Sequence, residues 1–322
     1  MPKDPSAVDD RYRSLLQKAV RRGHPELVST ISALIENLNI HSRGWFEKRA
    51  AFIVFSECWP LGCEMLFTKR FPSKVAALIR VARARKARDA TGLGLLAYAL
   101  AQGETSVLNH SVGDHAVKLI AKAIRHPGDF WEWVPAQAAD HRCQALIANA
   151  GRYREGGRPH DKAVVQAAAY LAVNAPLPDP TPAPAADDPF PHWVVFDRHT
   201  SEGKRALRDV ARDLHIPLPQ LEWCFYYFEG AAANAETPSP WWRRYCQWHF
   251  DRVGMREEEA RLLWEPSRAQ IADALAEDGR RLQSDIYRWK LANREKVDAL
   301  KREVERFTSH IKELPRDQSL LF

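Results

Sequence analysis

The densest run of reactive side chains is Asp197-Arg198-His199-Thr200, followed by Glu202, Lys204 and Arg205. It comes directly after a short apolar stretch, His192 to Phe196 (HWVVF). A carboxylate carried at the end of a buried segment is held in place. A fixed anion can stabilise a developing positive charge or orient a water. Asp197 is therefore the candidate catalytic carboxylate. His199 and Lys204 are its expected polar neighbours, and Thr200 can hydrogen-bond a base or a phosphate. The same residues also have a structural use. Thr200 or Ser201 can cap a following helix, and Asp197 can pair with Arg198 or Lys204. Glu57 is the reserve carboxylate. It stands in an otherwise apolar run, FIVFSECW from Phe52 to Trp59. A carboxylate buried there needs a paired arginine, Arg49 or Arg22, or a catalytic task.

Other chemistries lack their motifs. The sequence has no GxxxxGK[ST] phosphate loop, no GxGxxG, no HExxH and no paired-cysteine zinc spacing. Gly203-Lys204 looks like the end of a phosphate loop, but no glycine stands five residues earlier. These spacings hold phosphates or metals, so no metal and no cofactor is expected, and the chain does not read as an ATPase.

Basic residues point to a polyanion instead. Residues 69–88, KRFPSKVAALIRVARARKAR, carry eight basic side chains and no acid. On a helix from Ser73, Val75, Leu78, Ile79 and Ala82 would face the core. Arg80, Arg83, Arg85, Lys86 and Arg88 would fan over the rest. A face of one sign suits phosphate neutralisation with counterion release; a solvated face paired with acids elsewhere is the competing reading. Arg152, Arg154, Arg158, His160 and Lys162 form a second basic segment. It includes Gly151, Gly156 and Gly157, which let backbone amides approach a phosphate. Residues 1–170 hold 25 Lys and Arg against 16 Asp and Glu, a balance of +9, while the whole chain is +6. The polyanion-facing part therefore lies in the first half.

These residues need helices to hold them. Asp9 or Asp10 caps a first helix that Gly23 ends, and Pro25 opens a second. Amphipathic stretches follow over 44–58, 73–88, 92–101, 113–125, 135–150 and 160–173. No hairpin signal and no sustained period-two alternation appears. The class is all-α, with little or no sheet; HWVVF is a short strand or a buried extended segment. Seven prolines in 174–191 mark an extended linker. It separates a basic helical domain over 8–173 from a second helical region over 192–322. That region carries the DRHT run, the aromatic clusters at 223–228 and 241–250, and a long polar helix from about 267. The aromatics read first as core. Val297, Leu300, Val304, Phe307, Ile311 and Leu314 recur at helical spacing and suit a helix folding back on the body.

No apolar run approaches the roughly 18 residues of a membrane span, and the first residues lack a secretory leader. Five cysteines without Cys-x-x-Cys pairing read as buried thiols in a reducing cytosol.

Several short motifs resemble a family. Gln17-Lys18-Ala19-Val20-Arg21-Arg22-Gly23-His24-Pro25 is similar to the QKAIRRGD helix that opens the C-terminal collar of RarA/MgsA-type AAA+ proteins, relatives of clamp loaders. Trp45, Arg49 and Ser56-Glu57-Cys58-Trp59-Pro60-Leu61-Gly62 resemble its Trp/Arg-rich helix and SEDIG motif, with Cys58 in place of the aspartate. Residues 166–172, QAAAYLA, are similar to its QAVIYLA helix. Asp197-Arg198-His199-Thr200 with Gly203-Lys204 resembles a DxHTxxGR element of viral and mobile-element versions. The resemblance covers about 8–210 and implies a helical, DNA-associated collar. The ATPase module has no counterpart here, so the resemblance implies a repurposed collar.

Two functions are therefore expected as alternatives. One is a DNA glycosylase in anti-phage defence, excising bases from double-stranded, base-modified phage DNA to leave abasic sites. Base excision needs a basic groove, stacking side chains and one carboxylate. The helix-hairpin-helix glycosylase signature is absent. The other is a non-catalytic, DNA-binding adaptor of the clamp-loader type.

Overall fold

The computed structural model describes residues 9–313 apart from 39, 65–69, 109–112 and 155–157; the side chains of 40, 41 and 309–313 are also outside the description. Lys69, Gly156, Gly157, Leu314 and the Ile311 side chain thus lie outside the described residues. The described residues form fifteen α-helices and no strand. The first half contains α1 (Asp10–Arg21), α2 (Pro25–Glu36), α3 (Ile40–Glu57), α4 (Phe71–Arg83), α5 (Asp89–Ala101), α6 (Asp114–Arg125), α7 (Pro127–Trp133), α8 (His141–Tyr153) and α9 (Pro159–Asn174). The second contains α10 (Ser201–Asp213), α11 (Leu218–Phe225), α12 (Pro240–Arg252), α13 (Glu257–Ala274), α14 (Ala276–Ala292) and α15 (Arg294–Glu313).

The ends of α1 follow its sequence signals. The Asp9 carboxylate accepts from the Arg11 amide at 2.9 Å, which satisfies one of the orphan donors of the first turn. Gly23, at φ 75°, takes the left-handed conformation past its end. The apolar stripes of these helices close one continuous core. Leu16, Ile53, Leu78, Val194, Phe225 and Leu282 all belong to it, so both halves of the sequence build the same interior. Each fully buried large apolar side chain contributes about 1.5–3 kcal/mol. The tail folds back on the body: α15 packs on α2 and α4, burying Val297, Leu300 and Val304.

Two segments differ from expectation. HWVVF is a 3-10 turn, His192–Val195, neither strand nor extended. The turn satisfies its own backbone, through Val194 to the Pro191 carbonyl and Phe196 to the Trp193 carbonyl. The helix expected over 73–88 stops at Arg83, and residues 84–87 run extended. Other chain segments supply their hydrogen bonds. Arg85 N–H donates to the Thr181 carbonyl, Lys86 N–H to Ala235, and Ala87 N–H to Glu57, at 2.8–2.9 Å. The proline-rich 174–191 segment is extended as its composition dictates, but it is docked. Ala183 N–H donates to the Arg83 carbonyl at 2.8 Å, and Phe190 is buried.

Candidate functional site

Asp197 sits at the close of the 192–195 turn, immediately before α10. Its carboxylate is held from three sides. Lys18 Nζ on α1 donates to Oδ2 at 2.6 Å. The His199 amide and Nδ1 lie 2.9 and 3.0 Å from Oδ1. Ser14, one helical turn before Lys18, donates to the Val195 carbonyl at 2.8 Å and accepts from Lys18 at 2.7 Å. Burial alone would push the Asp197 carboxyl up, but Lys18 and His199 reverse it and hold it well below the usual carboxylate range. Burial lowers the Lys18 ammonium, and Asp197 partly offsets this.

The neighbours of Asp197 are not all those expected. His199 is at hand and 59% exposed. Lys204 is exposed on the first turn of α10; Lys18, not Lys204, pairs with Asp197. Thr200 is 2% exposed and serves as the α10 cap. Its Oγ1 accepts from the Gly203 amide at 3.1 Å and donates to the Asp197 carbonyl at 3.0 Å, so it is not available to DNA. Arg198 reaches toward Glu222 on α11 at 4.0 Å.

Glu57 is 1% exposed and lies between two guanidiniums. Arg21 Nη2 is 2.5 Å from Oε1 and Arg88 Nη2 is 3.2 Å from Oε2. Burial would raise this carboxyl, yet Arg21 and Arg88 bring it down to about 2. Both arginines also reach the segment after α11, through the Gly230 and Ala231 carbonyls. Glu57 thus anchors α1, α3 and the start of α5 to that segment. It is sealed from substrate and falls out of the catalytic set. The partner is Arg21 rather than Arg22 because successive helical residues differ by about 100° in direction. Arg22, the residue after α1, reaches the same segment at Glu229, whose carboxylate it meets at 2.7 Å.

The expected DNA-contacting residues divide. Lys86 is fully buried and Arg88 is 3% exposed. Lys86 Nζ donates to the carbonyls of Val81, Ala82 and Ala84 at 2.9, 3.3 and 2.6 Å. It caps α4 from within, and burial lowers it to about 8. Both therefore leave the DNA set, because the extended 84–87 segment turns them inward. Arg80, Arg83, Arg85, Arg152, Arg154 and Arg158 are exposed, and Lys162 is half-buried. Arg80 pairs with Glu64 at 2.6 Å, in the 59–64 turn against which α8 packs. From Arg142, beside Asp179 at 2.8 Å, to Arg154 the chain rises about 18 Å along α8. Arg158 N–H donates to the Asp161 carboxylate at 3.0 Å, which opens α9.

The aromatic clusters are core, as their density implied. Trp223, Phe225, Trp242 and Trp248 are buried. Trp223 stacks on His249 at 3.7 Å, and burial lowers that histidine to about 4. The five cysteines are buried and unbridged. Among the described residues no group of three His, Cys, Asp or Glu is placed to hold a metal. No helix among them is long and apolar enough to cross a membrane. A shallow depression of about 560 Å³, lined by Arg208, Arg212, His215 and Leu218, lies at the end of α10 remote from Asp197. Sequence reasoning missed Lys18, Arg21 and Arg142. The signal for the first two was their i, i+3 spacing on the apolar side of α1.

No family model matches the chain, and no curated protein or solved structure matches it either.

Proposed function

We propose that this chain is a non-catalytic DNA-binding adaptor. One observation carries the reading: three acids of the basic half are held in ion pairs with buried or half-buried arginines, while five of its arginines are exposed. Glu57 is consumed by Arg21 and Arg88, Asp161 meets Arg49 at 3.4 Å, and Asp114 pairs with Arg244. Arg83, Arg85, Arg152, Arg154 and Arg158 are exposed. Such an excess attracts phosphates without needing a reactive pocket. The experiment is a salt titration of affinity for a duplex oligonucleotide. The adaptor reading expects binding that falls steeply with salt; binding that ignores salt would remove it.

A second reading, base excision in phage defence, is favoured by one feature. The Asp197 carboxylate is ionised, 19% exposed and beside an exposed imidazole. An anion so placed suits a cationic sugar. Incubation with normal and base-modified DNA, followed by mass analysis of released bases, separates the readings. Base release that His199→Ala abolishes would replace the adaptor reading with the enzymatic one.

A further inference from the structure

A stripe of alternating rings and cations runs along α3 and continues onto α5 and α9. Trp45, Arg49 and Phe52 follow one another at i, i+4 and i+7, which places them on one face of α3. All three are half-buried, and Lys48 beside them is exposed. The Arg13 guanidinium, from α1, lies over the Trp45 ring at 5.2 Å. The Arg49 guanidinium lies over the Phe52 ring at 4.2 Å. His160, at the start of α9, stands edge-on to both Phe52 and Tyr98, at 6.4 and 6.3 Å. Tyr98 is half-buried and stands outside the hydrophobic core.

The cations in this stripe are held rather than loose. Arg49 donates to the Gln17 side chain at 2.6 Å and meets Asp161 at 3.4 Å. Arg13 meets Asp10 at 3.4 Å. The guanidiniums each cover one face of Trp45 and Phe52 and add positive potential beside these half-buried rings. Exposed Arg158 and half-buried Lys162 flank the same end of α9 as His160. They extend the positive charge beyond the rings.

We propose that this stripe binds single-stranded DNA. Bases stack on Trp45, Phe52 and Tyr98, and phosphates meet Lys48, Arg158 and Lys162. Stacking on protein rings requires bases free of a partner strand, so a duplex is excluded from the rings though not from the surface arginines. The inference rests on the DNA-binding reading above and names the strand form that this part of the surface takes.

The test is fluorescence anisotropy with the full chain at low salt. The probes are labelled oligo(dT), oligo(rU) of equal length, and a duplex. Trp45→Ala should weaken oligo(dT) binding about tenfold and leave duplex binding within about twofold. Lys48→Glu, at an exposed position, should weaken oligo(dT) binding and flatten its salt slope by about one. It remains decisive if circular dichroism shows Trp45→Ala to be misfolded. Wild-type oligo(dT) affinity in Lys48→Glu and in a folded Trp45→Ala would overturn the stripe. The adaptor reading would still stand if Arg83→Ala with Arg85→Ala weakened duplex binding. Tighter binding of oligo(rU) than of oligo(dT) would overturn the assignment to DNA. Failure to bind any of the three probes would remove both the stripe and the adaptor reading.

Discussion

Lys18 and Asp197 meet at 2.6 Å although 179 residues separate them. This ion pair ties α1 to the turn that precedes α10, and it decides what the Asp197 carboxylate can do. It is an anion whose first duty is to neutralise a 4%-exposed ammonium. Asp197→Asn would leave Lys18 buried without its counter-charge. Removing one member of a buried pair costs about 3–5 kcal/mol, and partial exposure of Asp197 puts the expected loss at the lower end. Urea unfolding at pH 7 measures it. A variant as stable as wild type would show that Lys18 sheds its proton without cost.

Acid stability follows from the same carboxylate and from Glu57. Both are depressed in the folded chain. Their contribution is therefore complete above the unfolded values of about 3.9 and 4.3, and is lost as pH falls below them. For Glu57 the loss runs from about 4.3 toward its folded value of about 2. Wild-type stability should fall steeply between about pH 5 and pH 2, on the order of several kcal/mol in total. Glu57→Gln should be less stable at pH 7 by about 3–5 kcal/mol and show a shallower acid slope. A parallel slope in the variant would mean that Glu57 is not the titrating group.

Much of this architecture was legible in the sequence. Caps and glycine stops fixed α1, and proline at a helix start fixed α2, because those signals are local. The apolar surroundings of Glu57 indicated its burial and its need for arginine. The end of α4 at Arg83 was not legible, because it depends on hydrogen bonds from residues near 181 and 235. Periodicity continued through 84–88, so Lys86 and Arg88 read as a basic face. The proline-rich segment read as a spacer, because its composition specifies an extended backbone but not what that backbone lies against. Lys18 could not be matched to Asp197 for a similar reason: pairing across half the chain leaves no trace in spacing.

The basic segment therefore separates into two mutational classes. Arg83 and Arg85 are exposed, so replacing both by Ala should leave unfolding within about 0.5 kcal/mol of wild type. Duplex affinity should fall, with the salt slope reduced by about one for each phosphate no longer neutralised. Arg88→Ala should do the reverse. It removes a guanidinium that serves Glu57, the Ala231 carbonyl and Glu236, at a cost of about 3–5 kcal/mol. Melting curves beside salt titrations distinguish the classes. A thermally normal Arg88→Ala with weakened DNA binding would contradict its burial.

Gly203 tests how tightly the turn carrying Asp197 is built. A Cβ added there would lie 2.2 Å from the Asp197 carbonyl oxygen and 2.6 Å from the Phe196 carbonyl carbon. Both are backbone atoms, so no side chain can swing aside. The same Asp197 carbonyl accepts from Thr200 Oγ1, whose oxygen caps α10. Gly203→Ala must therefore push the 196–197 backbone away from α10, straining the cap and the Asp197 turn together. Overpacking of this kind costs about 1–3 kcal/mol, occasionally more, and loss of the cap adds about 1 kcal/mol. The displacement should also weaken the Lys18 ion pair. In Gly203→Ala, the additional loss from Asp197→Asn should then be smaller than in wild type. A double-mutant cycle on unfolding free energies reads that coupling directly. Strict additivity would show that the turn moves as a unit and carries its ion pair with it.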